Sequence, residues 1–327
     1  MKAVVYDRYG PPEVLRFAEV ATPVPKPNEV LIRARATTVT AADWRVRSLT
    51  VPRGFGPMAR LALGVRGPRQ PILGTEVSGE IVAVGSAVRS FAVGDAVFAF
   101  RGTRMGCHAE YVTMAEGDSV ARMPAGLDWG EAAALSFGGT TALHFLRRAA
   151  LTPGERVLVN GASGGVGMAA VQLARHFGAQ VTGVCSAANA EVVRSLGADR
   201  VIDYAREDFT RDGAAYDVIM DTAGTAPWSR SRTALRPGGR LLMVLGSFAG
   251  TLRAPWIGMT GSRRIVAGTA RASADDLRFL GRLAESGEYR PVIDRRYAFA
   301  EIVEAHRYVD TGRKRGNVVI AMSEAER

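Results

Sequence analysis

Residues 160–179 read Asn160-Gly-Ala-Ser-Gly-Gly-Val-Gly-Met-Ala-Ala-Val-Gln-Leu-Ala-Arg-His-Phe-Gly-Ala179. Arg156-Val-Leu-Val-Asn160 ahead of it is an apolar strand, and the run from Val166 to Phe177 is an apolar helix. A strand that enters a glycine-rich bend and leaves as a helix suits a diphosphate. The glycines let the backbone approach the ligand closely, and the helix N-terminus presents free N–H groups and the positive end of its dipole. Strand, bend, helix and second strand in this order make the signal specific. Ala162 departs from the glycine pattern, so the bend carries one methyl. The second strand, Gln180-Val-Thr-Gly-Val-Cys185, is followed by Ser186, and no carboxylate appears until Glu191. A carboxylate about 4 Å from a ribose 2′-phosphate would cost about 4 kcal/mol at an effective dielectric near 20. Its absence favours NADPH over NADH, with Ser186 able to hydrogen-bond the phosphate.

Outward from this motif, strands and helices alternate from about residue 125 to 270. Strands are expected at Val201-Ile-Asp203, Tyr216-Asp-Val-Ile-Met-Asp221, Arg240-Leu-Leu-Met-Val-Leu-Gly246 and Arg264-Ile-Val-Ala267, with a helix over Ala190–Leu196. Continuous apolar strands alternating with helices mean a parallel sheet covered on both faces. A helical stretch from Glu131 to Arg148 is expected to be interrupted at Gly138-Gly139. Residues 1–124 instead read as short strands with turn chemistry, among them Val30–Ala36, Glu80–Gly85 and Gly94–Phe100. The prolines and glycines of 52–72 mark a long excursion around one short helical patch, a candidate lid. The tail from 271 carries two helices, Asp275–Glu285 and Ala300–Thr311, and a last strand, Asn317–Met322.

Of 327 residues, 47% are hydrophobic and 23% charged, which suits a two-domain globular chain and excludes disorder. Two cysteines exclude a disulfide scaffold and fit a reducing compartment. No apolar run is long enough to span a bilayer, and the N-terminus lacks a secretory apolar region, so a cytoplasmic protein without membrane association is expected. The net charge of +10 comes from scattered arginines with no aromatic-interleaved block, which argues against a nucleic-acid partner.

Asn160-Gly-Ala-Ser-Gly-Gly-Val-Gly167, Ser186 and Leu196-Gly-Ala-Asp-Arg-Val-Ile-Asp-Tyr204 closely resemble the zinc-independent quinone oxidoreductase branch of the medium-chain dehydrogenase/reductase superfamily. So do Gly10-Pro-Pro-Glu-Val-Leu15, Ala42-Asp-Trp-Arg-Val-Arg47, Leu73-Gly-Thr-Glu-Val-Ser-Gly79, Val93-Gly-Asp-Ala-Val-Phe98 and Arg315-Gly-Asn-Val-Val-Ile320. The resemblance implies an α/β chain in which a Rossmann dinucleotide-binding domain, residues 125–270, is inserted into a GroES-like catalytic domain, residues 1–124 and 271–327. The active site would lie between them. It further implies that Thr140, Gly164, Gly165, Val166, Ser186, Tyr204, Gly246 and Ser247 line the cofactor, with Asn317 near the nicotinamide, and that the protein is a homodimer. Relatives with this serine often keep a basic residue at the position of Ala188. Here Tyr204 or Arg194 would have to take its part.

Zinc-dependent members of the superfamily need Cys and His ligands. The motif that would read Gly-His-Glu is Gly74-Thr75-Glu76, and Thr37–Asp43 contains no cysteine. Cys107-His108 reads as the start of a strand, and His144, His176 and His306 as helix residues. No metal is expected. Without one, an alkoxide is hard to stabilise, whereas an enolate or hydroquinone anion spreads its charge and needs only a few donors. The expected reaction is therefore hydride transfer from NADPH to a quinone or an α,β-unsaturated ketone. Thr40 and Arg45 would bind the acceptor oxygen, Trp44 would stack on its ring, and Asp43 would orient a ribose hydroxyl or a proton-relay water. Two other readings remain open on the sequence: an enoyl reductase of a polyketide or secondary-metabolite pathway, and a non-catalytic NADP(H)-binding protein.

Overall fold

The chain opens with β1 (Lys2–Val5), paired antiparallel to β2 (Arg16–Glu19). The structure, a computed structural model, describes residues 1–51, 54–246 and 262–322. Two compact units share the chain: Met1–Val51, Gly56–Phe137 and Ala272–Arg327 form the first, and Pro52–Phe55 with Gly138–Arg271 the second.

In the first unit β3 (Glu29–Val39) is the organising strand. It is followed by α1 (Ala41–Ser48), α2 (Gly56–Leu63), β4 (Glu76–Val84), β5 (Ala96–Phe100), β6 (Tyr111–Ala115), β7 (Val120–Arg122) and α3 (Trp129–Ala134). Val30, Ile32 and Ala34 alternate along β3 and meet Val77, Ile81, Val97, Val112 and Met114 in one buried cluster. Each buried Val, Ile or Met side chain contributes about 1.5–3 kcal/mol of burial. The first unit runs past the 124/125 boundary expected from sequence because α3 belongs to it. Ala133 and Ala134 pack on Ala36 and Val319, and the Ser78 hydroxyl donates to the Trp129 carbonyl.

The second unit is entered within α4 (Ser136–Ala149). The helical stretch expected from Glu131 to Arg148 does break, but at Leu135, the C-cap of α3. Gly138 and Gly139 lie inside α4. A Cβ on Gly138 would sit 2.7 Å from the Gly165 carbonyl oxygen, so this glycine serves close packing rather than a turn. Then follow β8 (Arg156–Asn160), α5 (Gly165–His176), β9 (Gln180–Cys185), α6 (Ala190–Ser195), β10 (Arg200–Asp203), β11 (Tyr216–Asp221), α7 (Trp228–Ser231), β12 (Leu235–Met243) and β13 (Arg264–Ala267). The six strands are all parallel, in the order β10-β9-β8-β11-β12-β13. This is the doubly wound dinucleotide-binding arrangement, with β8 and β11 at its centre. The strand expected over 240–246 instead begins at Leu235 and ends at Met243.

The tail returns to the first unit as α8 (Ala274–Glu285), β14 (Ile293–Ala298), α9 (Ile302–Asp310) and β15 (Asn317–Ala321). β15 pairs antiparallel with β3, completing a sheet of order β14-β15-β3-β4-β5-β7 with β6 also on β3. Among the described residues no helix is long and apolar enough to cross a membrane.

Candidate functional site

The bend after β8 has the shape its glycines require. Gly161 has φ +83°, and a Cβ there would meet the Thr222 hydroxyl at 2.8 Å. A Cβ on Gly167 would lie 2.1 Å from the Gly161 carbonyl oxygen, so helix and bend touch through bare backbone. The methyl of Ala162 is accommodated because Gly183, facing it on β9, has no side chain: a Cβ there would lie 3.1 Å from the Ala162 Cβ. Gly164 is the N-cap of α5 and makes no side-chain cap. A Cβ on it would find only the Gly161 carbonyl, 3.6 Å away. The first turn of α5 (Gly165, Val166, Gly167) thus starts with uncapped N–H groups beneath an open position, which fits a pyrophosphate. Beside the bend, the Asn160 amide donates to Asp221 Oδ1 and to the Thr225 hydroxyl, both at 2.8 Å. Asp221 in turn accepts from the N–H groups of Ala223, Gly224 and Ala226. Asn160 and Asp221, absent from the sequence-derived candidates, fix the loop after β11. The signal for them was an Asp at a strand end ahead of Thr-Ala-Gly-Thr.

Ser186 follows β9, and its side chain makes no cap bond to the short helical turn it begins. The Tyr204 N–H donates to the Cys185 carbonyl, which brings Tyr204 beside Ser186, and the Tyr204 side chain is 64% exposed. Asn189 Oδ1 is buried here without a partner. Arg194 is near enough to Cys185 to oppose the rise that burial imposes on its thiol pKa. Thr140 is buried on α4, and Gly246 ends the described stretch. Ser247 lies outside the described residues.

In the first unit, the Thr40–Arg47 strip is built around a capping box. Thr40 Oγ1 accepts from the N–H groups of Ala42 and Asp43. Asp43 Oδ2 accepts from the Thr40 N–H at 2.7 Å and the Thr40 hydroxyl at 2.6 Å. Asp43 Oδ1 accepts from the Gly74 N–H at 2.8 Å. These bonds use the only hydroxyl proton of Thr40 and both oxygens of a fully buried Asp43. In this arrangement the pair builds the start of α1 and ties it to Gly74. The other two candidates remain uncommitted. Arg45 Nε is buried without a partner, and burial makes the guanidinium a weaker base than usual. Its carbon stands 5.1 Å from the Trp44 ring centroid, a cation–π contact that sets a donor group beside a flat apolar face. Trp44 is half-buried, resting on a cluster that includes Val4, Tyr6 and Leu73. Asn317 spends its amide on the Val292 carbonyl, at 3.1 Å.

Glu76 was passed over in the sequence, where Gly74-Thr75-Glu76 registered only as a missing imidazole. It is fully buried; Oε1 accepts from the Thr38 hydroxyl and Oε2 from the Phe137 N–H, each at 2.5 Å. Burial outweighs these bonds and pushes its carboxyl pKa up to about 8. Thr75 Oγ1 is buried beside it without a partner. This donor set does not suit zinc. Cys107 lies in the strand core with its thiol pushed up to about 12 by burial, so it presents no thiolate. His108 spends Nε2 on the Thr38 carbonyl, and the Asp43 oxygens are occupied. Among the described residues no three His, Cys, Asp or Glu side chains are grouped to hold a metal ion.

Residues 26–125 match the Alcohol dehydrogenase GroES-like domain, and residues 196–320 match the family described as Zinc-binding dehydrogenase. The chain is 33% identical to a quinone oxidoreductase of Pseudomonas aeruginosa, covering 98% of this chain and 99% of that one. It is 33% identical to 2-methylene-furan-3-one reductase of Solanum lycopersicum, over 98% of this chain and 79% of that one. The solved structure of the quinone oxidoreductase from Coxiella burnetii superposes with a TM-score of 0.87 at 30% identity, covering 99% of both chains. With the glycine bend, the parallel sheet and the GroES-like unit all in place, the chain belongs to the quinone oxidoreductase branch of the medium-chain dehydrogenase/reductase superfamily.

Proposed function

We propose that the protein is an NADPH-dependent oxidoreductase that reduces a quinone or an α,β-unsaturated ketone without a metal. The observation that carries this reading is the uncapped, glycine-lined start of α5, in a chain whose acceptor strip offers organic donors and no zinc ligands. Relatives named for quinone and enone reduction support the same reaction class.

Bound NADPH supplies a hydride from its nicotinamide ring. Gly165 and Val166 bind the diphosphate through backbone N–H groups and the helix dipole, while Gly164, whose own N–H is donated to the Gly161 carbonyl, leaves it room by having no side chain. Ser186, Tyr204 and Arg194 meet the ribose 2′-phosphate, where no carboxylate stands against it. Thr140 and Gly246 extend the cofactor lining. Trp44 gives the acceptor ring a flat face, and the unpaired Arg45 donates to its oxygen as charge develops there. Thr40 and Asp43 hold Trp44 and Arg45 in place through the cap of α1. The enzyme works in the cytoplasm, which suits its two free, buried cysteines. As a homodimer it would join through β13, the edge of the parallel sheet.

The test is initial-rate NADPH oxidation against quinones, linear enones and enoyl thioesters. Turnover with the first two and none with the thioesters is expected. Preference for thioesters would assign the enzyme to polyketide-type reduction, and NADPH binding without turnover on any acceptor would make it a non-catalytic binder.

A further inference from the structure

Three segments far apart in sequence meet in the interior of the first unit, through Thr38 and Arg47, through His108 and through His306. Arg47, in the last turn of α1, is wholly buried. Its guanidinium donates to Asp310 Oδ2 at 2.5 Å, to the Gly10 carbonyl at 3.2 Å and to His306 Nδ1 at 3.2 Å. Arginine can only donate, so His306 Nδ1 accepts and the ring carries its proton on Nε2. His108 Nε2 lies 3.0 Å from the Thr38 carbonyl oxygen, which can only accept. His108 therefore also carries its proton on Nε2, and its Nδ1 is an acceptor. The two remaining nitrogens, the His306 Nε2–H donor and the His108 Nδ1 acceptor, are both buried without partners. The rings lie edge to face with centroids 5.4 Å apart. One orphan donor beside one orphan acceptor is a matched pair, and leaving both unmade in an apolar interior is costly.

We propose that His306 donates to His108, directly or through one internal water, closing a buried chain Asp310–Arg47–His306–His108–Thr38 in which Arg47 and His306 are positioning residues for the acceptor strip. The chain ties the C-terminal end of α1 to α9 and β3, while Asp43 ties its N-terminal end to Gly74. Gly74 serves both ties: its φ is +95°, and a Cβ on it would strike the His108 ring at 2.6 Å. Trp44 and Arg45 lie between the two anchors, so the chain sets the angle at which they meet the acceptor. Burial, with His108 and Arg47 alongside, holds His306 well below the usual histidine range, which keeps it neutral as the chain requires.

This inference rests on the acceptor-binding role proposed for Trp44 and Arg45, and its test separates the two. With four histidines in the chain, imidazole nitrogen-15 NMR of the intact labelled enzyme without substrate is readily assigned. Both rings are expected as the Nε2–H tautomer, with the His306 Nε2 proton protected from exchange. Either ring protonated on Nδ1, or a rapidly exchanging His306 proton, overturns the proposal whatever the substrate. In kinetics, His306→Gln keeps an acceptor for Arg47 and a donor for His108, whereas His306→Leu keeps neither. The leucine variant should raise the quinone KM about fivefold or more, the worth of roughly one hydrogen bond, with NADPH KM unchanged and the glutamine variant near wild type. Equal quinone KM values for leucine variant and wild type overturn the positioning role. Should the leucine variant fail to fold, the NMR result on the wild-type enzyme decides alone.

Discussion

Asp43 collects donors from two stretches of chain, the backbone and hydroxyl of Thr40 beside it and the N–H of Gly74 far along the sequence. This set of bonds was not legible from sequence, because the bond to Gly74 depends on how distant stretches of the chain pack. The same limit hid Glu76, whose partners Thr38 and Phe137 come from other elements. Arg45 differs, being buried at Nε with nothing to bond. Replacing it tests acceptor binding without touching the cap: Arg45→Leu should raise the quinone KM by roughly 10-fold or more, the scale of a charge-assisted hydrogen bond, and leave NADPH affinity unchanged. Initial rates over both substrates measure this, and an unchanged quinone KM would remove Arg45 from the site.

Among elements, the β8–bend–α5–β9 unit was legible almost to the residue, since each part is specified locally by apolar runs and glycines. The expected helix from Val166 to Phe177 is observed as Gly165–His176, and the strands 156–160 and 180–185 are as read. Gly165→Asp places a carboxylate at the head of α5, where the pyrophosphate must sit. Dinucleotide binding should disappear while the fold persists, as followed by NADPH fluorescence alongside circular dichroism. Ser186→Asp should move the coenzyme preference from NADPH toward NADH by lowering kcat/KM for NADPH. An unaltered ratio of the two values would show that the end of β9 does not read the 2′ position. β14 was missed because it is an edge strand in which Asp294, Arg295 and Arg296 break the alternation a half-buried strand normally shows. The break at Leu135 and the continuous helix through Gly138 were misplaced for a related reason. Gly138 is small because the Gly165 carbonyl approaches it, a contact invisible along the chain.

Across the whole molecule, the parallel sheet follows from local pattern and the GroES-like unit from the resemblance of its motifs, while the interior polar chain joins residues as distant as Arg47 and His306. That chain makes stability depend on pH. His306, facing Arg47 and His108 in an apolar surround, stays neutral in the folded state, whereas unfolded histidine takes up a proton near pH 6.5. The unfolded state therefore binds more protons as the pH falls. This contribution is intact above about pH 6.5 and declines below it. Urea midpoints measured from pH 7.5 to 5 should fall, and His306→Gln should flatten the part of the decline that begins near pH 6.5. An identical decline in the variant would assign the acid sensitivity to other groups.

The most direct test of the central claim is NADPH oxidation by enzyme stripped of metal with a strong chelator and verified by elemental analysis. The account predicts saturable NADPH dependence and an undiminished quinone reduction rate, unchanged by adding zinc back. A rate that vanishes on stripping and returns with zinc would contradict it.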